Sequence, residues 1–364
     1  AGIAGHTAAS HLRRKLSKEH EVVVVSPNRN YQWVPSNIWV GIGRMKSDEV
    51  FFPLEPLYKR KGIGYKQAKV ISFHPEGDAT ETKGFVTIEY IFGKNAGVQE
   101  KVNYDYLINA TGPKLAFELT EGLNPGTNKA YSVCTYEHAA HASEALLKLI
   151  GDIKTSDKKA KILIGTGHAK ATCQGAAFEY ILNVEKELVR YGVRDKIELT
   201  WISNENELGD FGMDGMLLTY GNQTLKSSEL VEMVFADRGI KWILGAGVFK
   251  IDEGKAHYEN LEGEYKEEDF DFAMLIPSFS GHGFKAFDKN ENDITDKLFK
   301  GFMIVDADYT SKPYEEWTVQ DWPETYQNPN YANIFAPGIA FAPPHSISKP
   351  RKSKNGTDIF PSPP

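Results

Sequence analysis

The sequence predicts an α/β protein of two Rossmann-like domains, the second inserted in the first. Three stretches carry that expectation. Near the amino end, Ala1-Gly-Ile-Ala-Gly5 leads into an amphipathic helix and the strand-like run Glu21-Val-Val-Val-Val-Ser26. In the middle, the apolar run Lys161-Ile-Leu-Ile-Gly165, the turn Gly165-Thr-Gly-His-Ala-Lys170 and a helix over 174–191 follow one another. Strand, glycine turn, helix is how a dinucleotide-binding unit opens. Between them a buried run, Tyr106-Leu-Ile, ends on Ala110-Thr-Gly112, where small residues let the backbone come close to a bound cofactor. The expected domains are 1–113 (first part of the cofactor-binding domain), 114–282 (the inserted domain, with both cysteines) and 283–364 (the return).

Length and composition bound the function. A chain of 364 residues is long enough for two domains. Its 41% hydrophobic and 25% charged residues are ordinary for a globular protein. A net charge of -7 without a basic cluster excludes a nucleic-acid footprint. Two cysteines cannot form a disulfide scaffold at this size, and no metal-ligand spacing accompanies them, so no metal is expected. No apolar run approaches the ~18 residues of a membrane span.

Taken in order, Gly2 and Gly5 read as the second and third glycines of a G-x-G-x-x-G fingerprint, with the helix expected over Thr7–Leu16. That reading places the first strand and first glycine before residue 1 and expects a chain cut inside its first motif. The end of the second strand meets the adenosine ribose in such units, usually through an acid; here it holds Ser26-Pro27-Asn28, whose serine hydroxyl can still bond a ribose. The aromatic, Gly- and Pro-rich stretch 31–44 reads either as a cover for a flat ring system or as an ordinary connection. Strands are expected over 65–73 and 85–92 with a hairpin loop at 77–84 between them. The Ala110-Thr-Gly112 ending, in register with Gly2 and Gly5, is characteristic of flavoproteins.

Cys134 and His138 are four apart ahead of a helix expected to Ile150; in a first helical turn they would share a face, and the histidine could lower the thiol pKa or relay a proton. The competing reading has His138 merely capping a helix. Cys173 stands at the mouth of the second βα turn. It reads either as a thiolate favoured by helix amides and dipole or as a small buried apolar residue. Lys170 replaces the third glycine, and Ser203 and Asn204 stand where an acid would follow the strand 197–202, which argues against NAD(H) in this unit. Beyond come a polar glycine loop at 207–215, a helix at 225–238 and strands at 240–248, 269–277 and 301–306. Asp321-Trp-Pro323 and Asn333-Ile-Phe-Ala-Pro-Gly-Ile-Ala-Phe-Ala-Pro-Pro344 close the pattern. Ile339 holds the place where two-domain flavoproteins put an Asp near the flavin. The Pro/Ser/Lys-rich tail to Pro364 is expected to be cut short of its natural end.

Taken together, the stretches 32–43, 106–113, 132–138, 173–180, 274–279 and 333–344 resemble the sulfide:quinone oxidoreductases of the two-domain flavin disulfide reductase family, with the flavin subunit of flavocytochrome c sulfide dehydrogenase a near relative. The resemblance implies FAD, sulfide as substrate and a membrane quinone as acceptor. It implies Cys173 as a redox cysteine beside the flavin, with Cys134 and His138 as a further catalytic pair; Asp210, which stands where many members carry a second histidine, or Glu179 is expected to aid His138 as proton acceptor. Cofactor contacts are implied at Gly2, Ala4, Gly5, Ser26, Pro27, Asn37, Trp39, Val70, Ala110, Thr111, Gly112, Pro113, Gly338 and Ile339. Quinone contacts are implied at Phe341, Pro343 and Pro344. It further implies a peripheral protein of a prokaryotic cell membrane, attached through a C-terminus beyond residue 364, and leaves room for a homo-oligomer. Ala340 departs from the family, which usually carries a partner cysteine there. Two other readings stay open: a type II NADH:quinone oxidoreductase, and a non-catalytic flavin-fold sulfur carrier or sensor.

Overall fold

The computed structural model describes residues 1–127 and 129–363 and separates into two units. One holds Ala1–Tyr31, Phe52–Lys114 and Ser280–His345; the other holds Gln32–Phe51, Leu115–Phe279 and Ser346–Pro364. This differs from the expected partition at 32–51 and at 346–363. Packing supplies the reason for the first: Ile38, Val40, Ile42 and Val50 are buried in the core of the second unit. Hydrogen bonding supplies it for the second. Ser348 donates to Asp210, and Ser353 and Thr357 both donate to Glu259.

In the first unit the helix runs over Ile3–Lys15, starting earlier than expected because Gly2 serves as its N-cap. Arg13, Arg14 and Lys15 fill its last turn, where cations complement the helix dipole. Ala9 packs with Val22, Val24, Leu54, Tyr58 and Ile63. Strand Val23–Ser26 lies parallel to Gly64–His74, which continues antiparallel into Phe85–Tyr90 and Gln99–Asn103. The short pair Leu107–Ile108 and Ile334–Phe335 brings the 333–336 return beside the Ala110-Thr-Gly112 turn. Phe302–Met303 is all that forms of the strand expected at 301–306.

The second unit is a parallel sheet in the order Ile240–Ile243, Ile197–Ile202, Ala160–Thr166, Phe272–Ile276. Three of its four strands are buried almost throughout, as a parallel sheet covered on both faces must be, and the edge strand Ile240–Ile243 is partly exposed. Helices Tyr136–Lys154 and Gln174–Tyr191 contribute Leu146, Ile150, Ile181, Val184 and Leu188 to a core with Ile162, Ile164, Leu199 and Trp201. An antiparallel meander, Gly247–Asp252, Lys255–Glu259 and Tyr265–Asp269, shares a second core with Leu163, Ile202, Ala273 and Leu275. The strand expected over 240–248 is two strands, broken at Gly245, which has φ +58° and Leu261 Cδ1 2.8 Å from its Cβ position.

Helix Gln174–Tyr191 also fixes the aromatic stretch. Tyr180 is fully buried and its hydroxyl donates to the Gly41 carbonyl at 3.0 Å. Tyr180→Phe strands that carbonyl without a partner and is expected to cost about 1 kcal/mol, read as a lower urea midpoint with unchanged slope.

Candidate functional site

Cys173 is the N-cap of helix Gln174–Tyr191 and sits in the left-handed region, φ 69° and ψ 35°. A non-glycine residue held there is uncommon, and such strain concentrates at functional positions. The residue is exposed, yet the protein around it removes enough water to raise its thiol pKa. Cys134 is half-buried with its thiol enclosed; burial pushes that thiol up to about 12, lightly opposed by Ser132 and reinforced by the charge of Cys173. The two sulfurs are thus within electrostatic reach of each other. The expected low-pKa thiolate is not what the helix end produces: desolvation outweighs the dipole, and both thiols are protonated at neutral pH.

Cys134 precedes helix Tyr136–Lys154 rather than belonging to it, because Thr135 is the N-cap and its hydroxyl accepts from the His138 amide at 3.2 Å. Cys134 and His138 therefore do not share a helical face. The His138 ring lies edge-on to Phe117, and burial lowers its pKa. Its Nδ1 is buried without a hydrogen-bond partner. The same holds for Thr172 Oγ1 and Gln174 Oε1, on either side of Cys173. Buried polar atoms are nearly always paired, so these three, close to the cysteines in sequence, are atoms that a bound group could satisfy. Thr172 and Gln174 carry no sequence signal beyond their adjacency to Cys173.

Asp210 is committed elsewhere: burial raises its carboxyl pKa while Ser348 and the amides of Gly212 and Asp214 donate to it. Glu179 is exposed. Glu205, fully buried and pushed up to about 7 by desolvation, accepts from Ser203 Oγ at 2.7 Å and the Phe211 amide at 2.7 Å. No group of three or more His, Cys, Asp or Glu suited to a metal is found among the described residues.

The second glycine turn is covered by its own chain. The amide of Phe360 donates to the Ala169 carbonyl at 3.1 Å and that of Ser362 to Ala171 at 3.3 Å. Asn204 Nδ2 ties Ala169, Ala171 and Phe360 together, and the Lys170 ammonium lies 5.2 Å from the Phe360 ring centre.

The first unit has an open cradle instead. Gly2 N donates to the Ala110 carbonyl at 2.9 Å. A Cβ on Gly5 would lie 2.7 Å from Ala1 Cβ and 3.0 Å from Ala110 Cβ, so helix and turn meet only through glycine. Gly338, φ +74°, would set a Cβ 3.2 Å from Ala4. The helix start has no side-chain cap and no acid in its first turn, which leaves amides and a positive dipole end for an anion. Gly2, Ala4, Gly5, Ala110 and Gly338 are therefore brought together, with Thr111, Gly112, Pro113 and Ile339 beside them in sequence. Ser26 is fully buried, its hydroxyl turned to the Ala1 carbonyl and the Asn28 amide, and Pro27 is exposed. Val70 lies at an irregularity of strand Gly64–His74. Asn37 and Trp39 belong to the second unit; Asn37 is buried with Nδ2 unpaired, and Trp39 is 40% exposed. Phe341 is buried against Trp322 and Tyr326 rather than lining an open mouth, and Pro343 and Pro344 are half-buried.

No protein-family model matches the chain. It is 29% identical to the sulfide-quinone reductase of Aquifex aeolicus over 343 residues, 94% of this chain and 67% of that protein. It is 24% identical to the mitochondrial sulfide:quinone oxidoreductase of Dictyostelium discoideum over 291 residues, 77% of this chain and 55% of that one. The chain thus spans about two thirds and about half of these relatives. The X-ray structure of the Aquifex aeolicus sulfide:quinone oxidoreductase superposes with a TM-score of 0.74 at 28% identity, covering 100% of this chain and 70% of that one. The NADH complex of NDH2 from Plasmodium falciparum, at TM-score 0.61 and 16% identity over 91% of this chain and 62% of that one, shares the fold alone. The chain is a homologue of the sulfide-quinone reductases and carries a two-domain, nucleotide-binding oxidoreductase fold.

Proposed function

We propose that this chain is the cofactor- and thiol-bearing part of a flavoenzyme that oxidises sulfide to zero-valent sulfur and delivers two electrons to a membrane quinone. The observation that carries this reading is the pair of neighbouring thiols, Cys134 and Cys173, with unpaired polar atoms of His138, Thr172 and Gln174 beside them in the chain. FAD fits the first unit: its pyrophosphate would lie at the amides after Gly2, with Gly5, Ala110 and Gly338 keeping the backbone close. When bound, FAD supplies the two-electron relay between sulfide and quinone.

The chain's own residues take the sulfur and the protons. A cysteine thiol plus hydrosulfide becomes a persulfide, one proton and two electrons, so an S–S bond forms as two electrons leave. The quinone takes those electrons and two protons to become the quinol. His138, neutral because burial lowers its pKa and with Nδ1 free, is the base that accepts the thiol proton. Thr172 and Gln174 offer polar atoms to the incoming hydrosulfide. Quinone access is assigned to the half-buried Pro343 and Pro344. Among the described residues no helix is long and apolar enough to cross a membrane.

Anaerobic titration of the flavin-loaded protein decides. Sulfide is expected to bleach the flavin at stoichiometric amounts, and NADH is expected to leave it oxidised because the 360–362 segment lies over the second glycine turn. Bleaching by NADH but not sulfide would replace this reading with that of an NADH:quinone oxidoreductase. Reduction by sulfide without turnover on a soluble quinone analogue would replace it with that of a sulfur carrier.

A further inference from the structure

His282 was given no role by the sequence pattern, yet its surroundings fix it closely. A Cβ on the preceding Gly281 would fall 1.8 Å from the Gly301 carbonyl oxygen, and the following Gly283 has φ +69°. The loop can take this path only with glycine on both sides, so the backbone of the residue between them is set. The ring stacks on Phe284 at 5.4 Å between centroids. The imidazole hydrogen-bonds the backbone of Thr111 and Gly112, the two residues that follow Ala110 on the cradle. Those contacts do not close it off: His282 is exposed, and the Cβ position of Gly112 opens on empty space. An imidazole has two ring nitrogens, and only the imidazolium can donate from both.

We propose that His282 is a positioning residue for FAD, its imidazole donating a hydrogen bond to the anionic pyrophosphate of the dinucleotide. This rests on the flavin reading above. The charged side chain acting on the ring is Lys114, a cation that draws the same anion. Burial first, then Lys114, holds the ring neutral at neutral pH. A bound pyrophosphate favours the imidazolium, so binding takes up a proton. Affinity therefore strengthens as pH falls through the ordinary histidine range near ~6.5. His6, the other histidine of the cradle helix, is hydrogen-bonded to Tyr58 and pushed down to about 4 by burial, and stays neutral across that window.

The test is FAD affinity of the full-length protein after reversible removal of the flavin, followed by flavin fluorescence between pH 5.5 and 8 for wild type, His282→Ala and His282→Asn. Wild type is expected to bind more tightly as pH falls. His282→Ala is expected to bind about tenfold more weakly, the scale of one hydrogen bond to a charged group. His282→Asn keeps a neutral donor, so it should recover most of the affinity at pH 8 and lose the pH slope. Wild-type affinity and slope in both variants would overturn the role of His282 while leaving FAD in place. A wild-type protein that takes up no FAD would overturn the flavin reading and this proposal with it.

Discussion

Cys173→Ser is expected to lower sulfide-dependent quinone reduction at least ~100-fold, the scale on which removing a covalent participant acts. Thermal unfolding should stay where it is. Serine differs from cysteine by one atom, and the residue is exposed, so little packing is lost. The left-handed backbone at 173 is as strained for serine as for cysteine, so strain cannot confuse the comparison. Burial holds both thiols protonated at neutral pH, and the nucleophile is the thiolate. The wild-type rate should therefore climb as pH rises through and beyond the ordinary cysteine range near ~8.5. Stability should move the other way. The unfolded chain ionises Cys134 near ~8.5 while the folded chain holds it protonated up to about 12, so folding loses free energy as pH rises between them. Steady-state quinone reduction across pH 6.5–9.5, with a melting curve for each protein, checks all of this. Full activity in Cys173→Ser would remove the thiol from the chemistry.

The parts of this molecule that were legible beforehand are those whose cause is local. Helix Gln174–Tyr191 and strand Ile197–Ile202 fall on the expected residues because apolar spacing and flanking glycines decide them within a few residues of sequence. The strand of 65–73 forms at Gly64–His74 for the same reason. What escaped depends on distant partners. The hairpin Leu217–Tyr220 with Gln223–Lys226 is exposed along both strands, so it has no apolar alternation to announce it. The attachment of 346–363 to the second unit depends on Asp210 and Glu259, more than ninety residues away. The site divides in the same way. Gly5 and Ala110 could be paired from motif spacing alone. The ionisation of Cys173 could not, because helix position argues for a thiolate and only the packed fold shows how much water is lost. Ser26 is the converse case: its position suggested a ribose contact, and its hydroxyl is turned to the backbone of Ala1 and Asn28.

Gly165→Ala is expected to cost more than ~3 kcal/mol and to leave the second unit largely unfolded at 37 °C, whereas Gly175→Ala is expected to be neutral or stabilising by up to ~1 kcal/mol. The same methyl group is added ten positions apart, and the backbone decides the sign. Gly165 is the last residue but one of the strand Ala160–Thr166, pairs with Ile202 in the parallel register and has φ +155°. Its Cβ would sit 1.7 Å from the Ile202 carbonyl oxygen and 3.0 Å from the Ile202 nitrogen. Both are backbone atoms of a central strand, so no side chain can turn aside. The strands must separate at the end where the Asn204 amide reaches Thr166 Oγ1 at 3.0 Å and where the thiol-bearing turn begins. Gly175 lies in the first turn of helix Gln174–Tyr191 with nothing within 4 Å of its Cβ position. There alanine narrows the unfolded ensemble and meets no atom in the folded one. Trp201 and Trp242 lie in the second unit, so their fluorescence during urea unfolding follows it. Gly165→Ala unfolding at the wild-type midpoint would mean that the two strands are not in the register described.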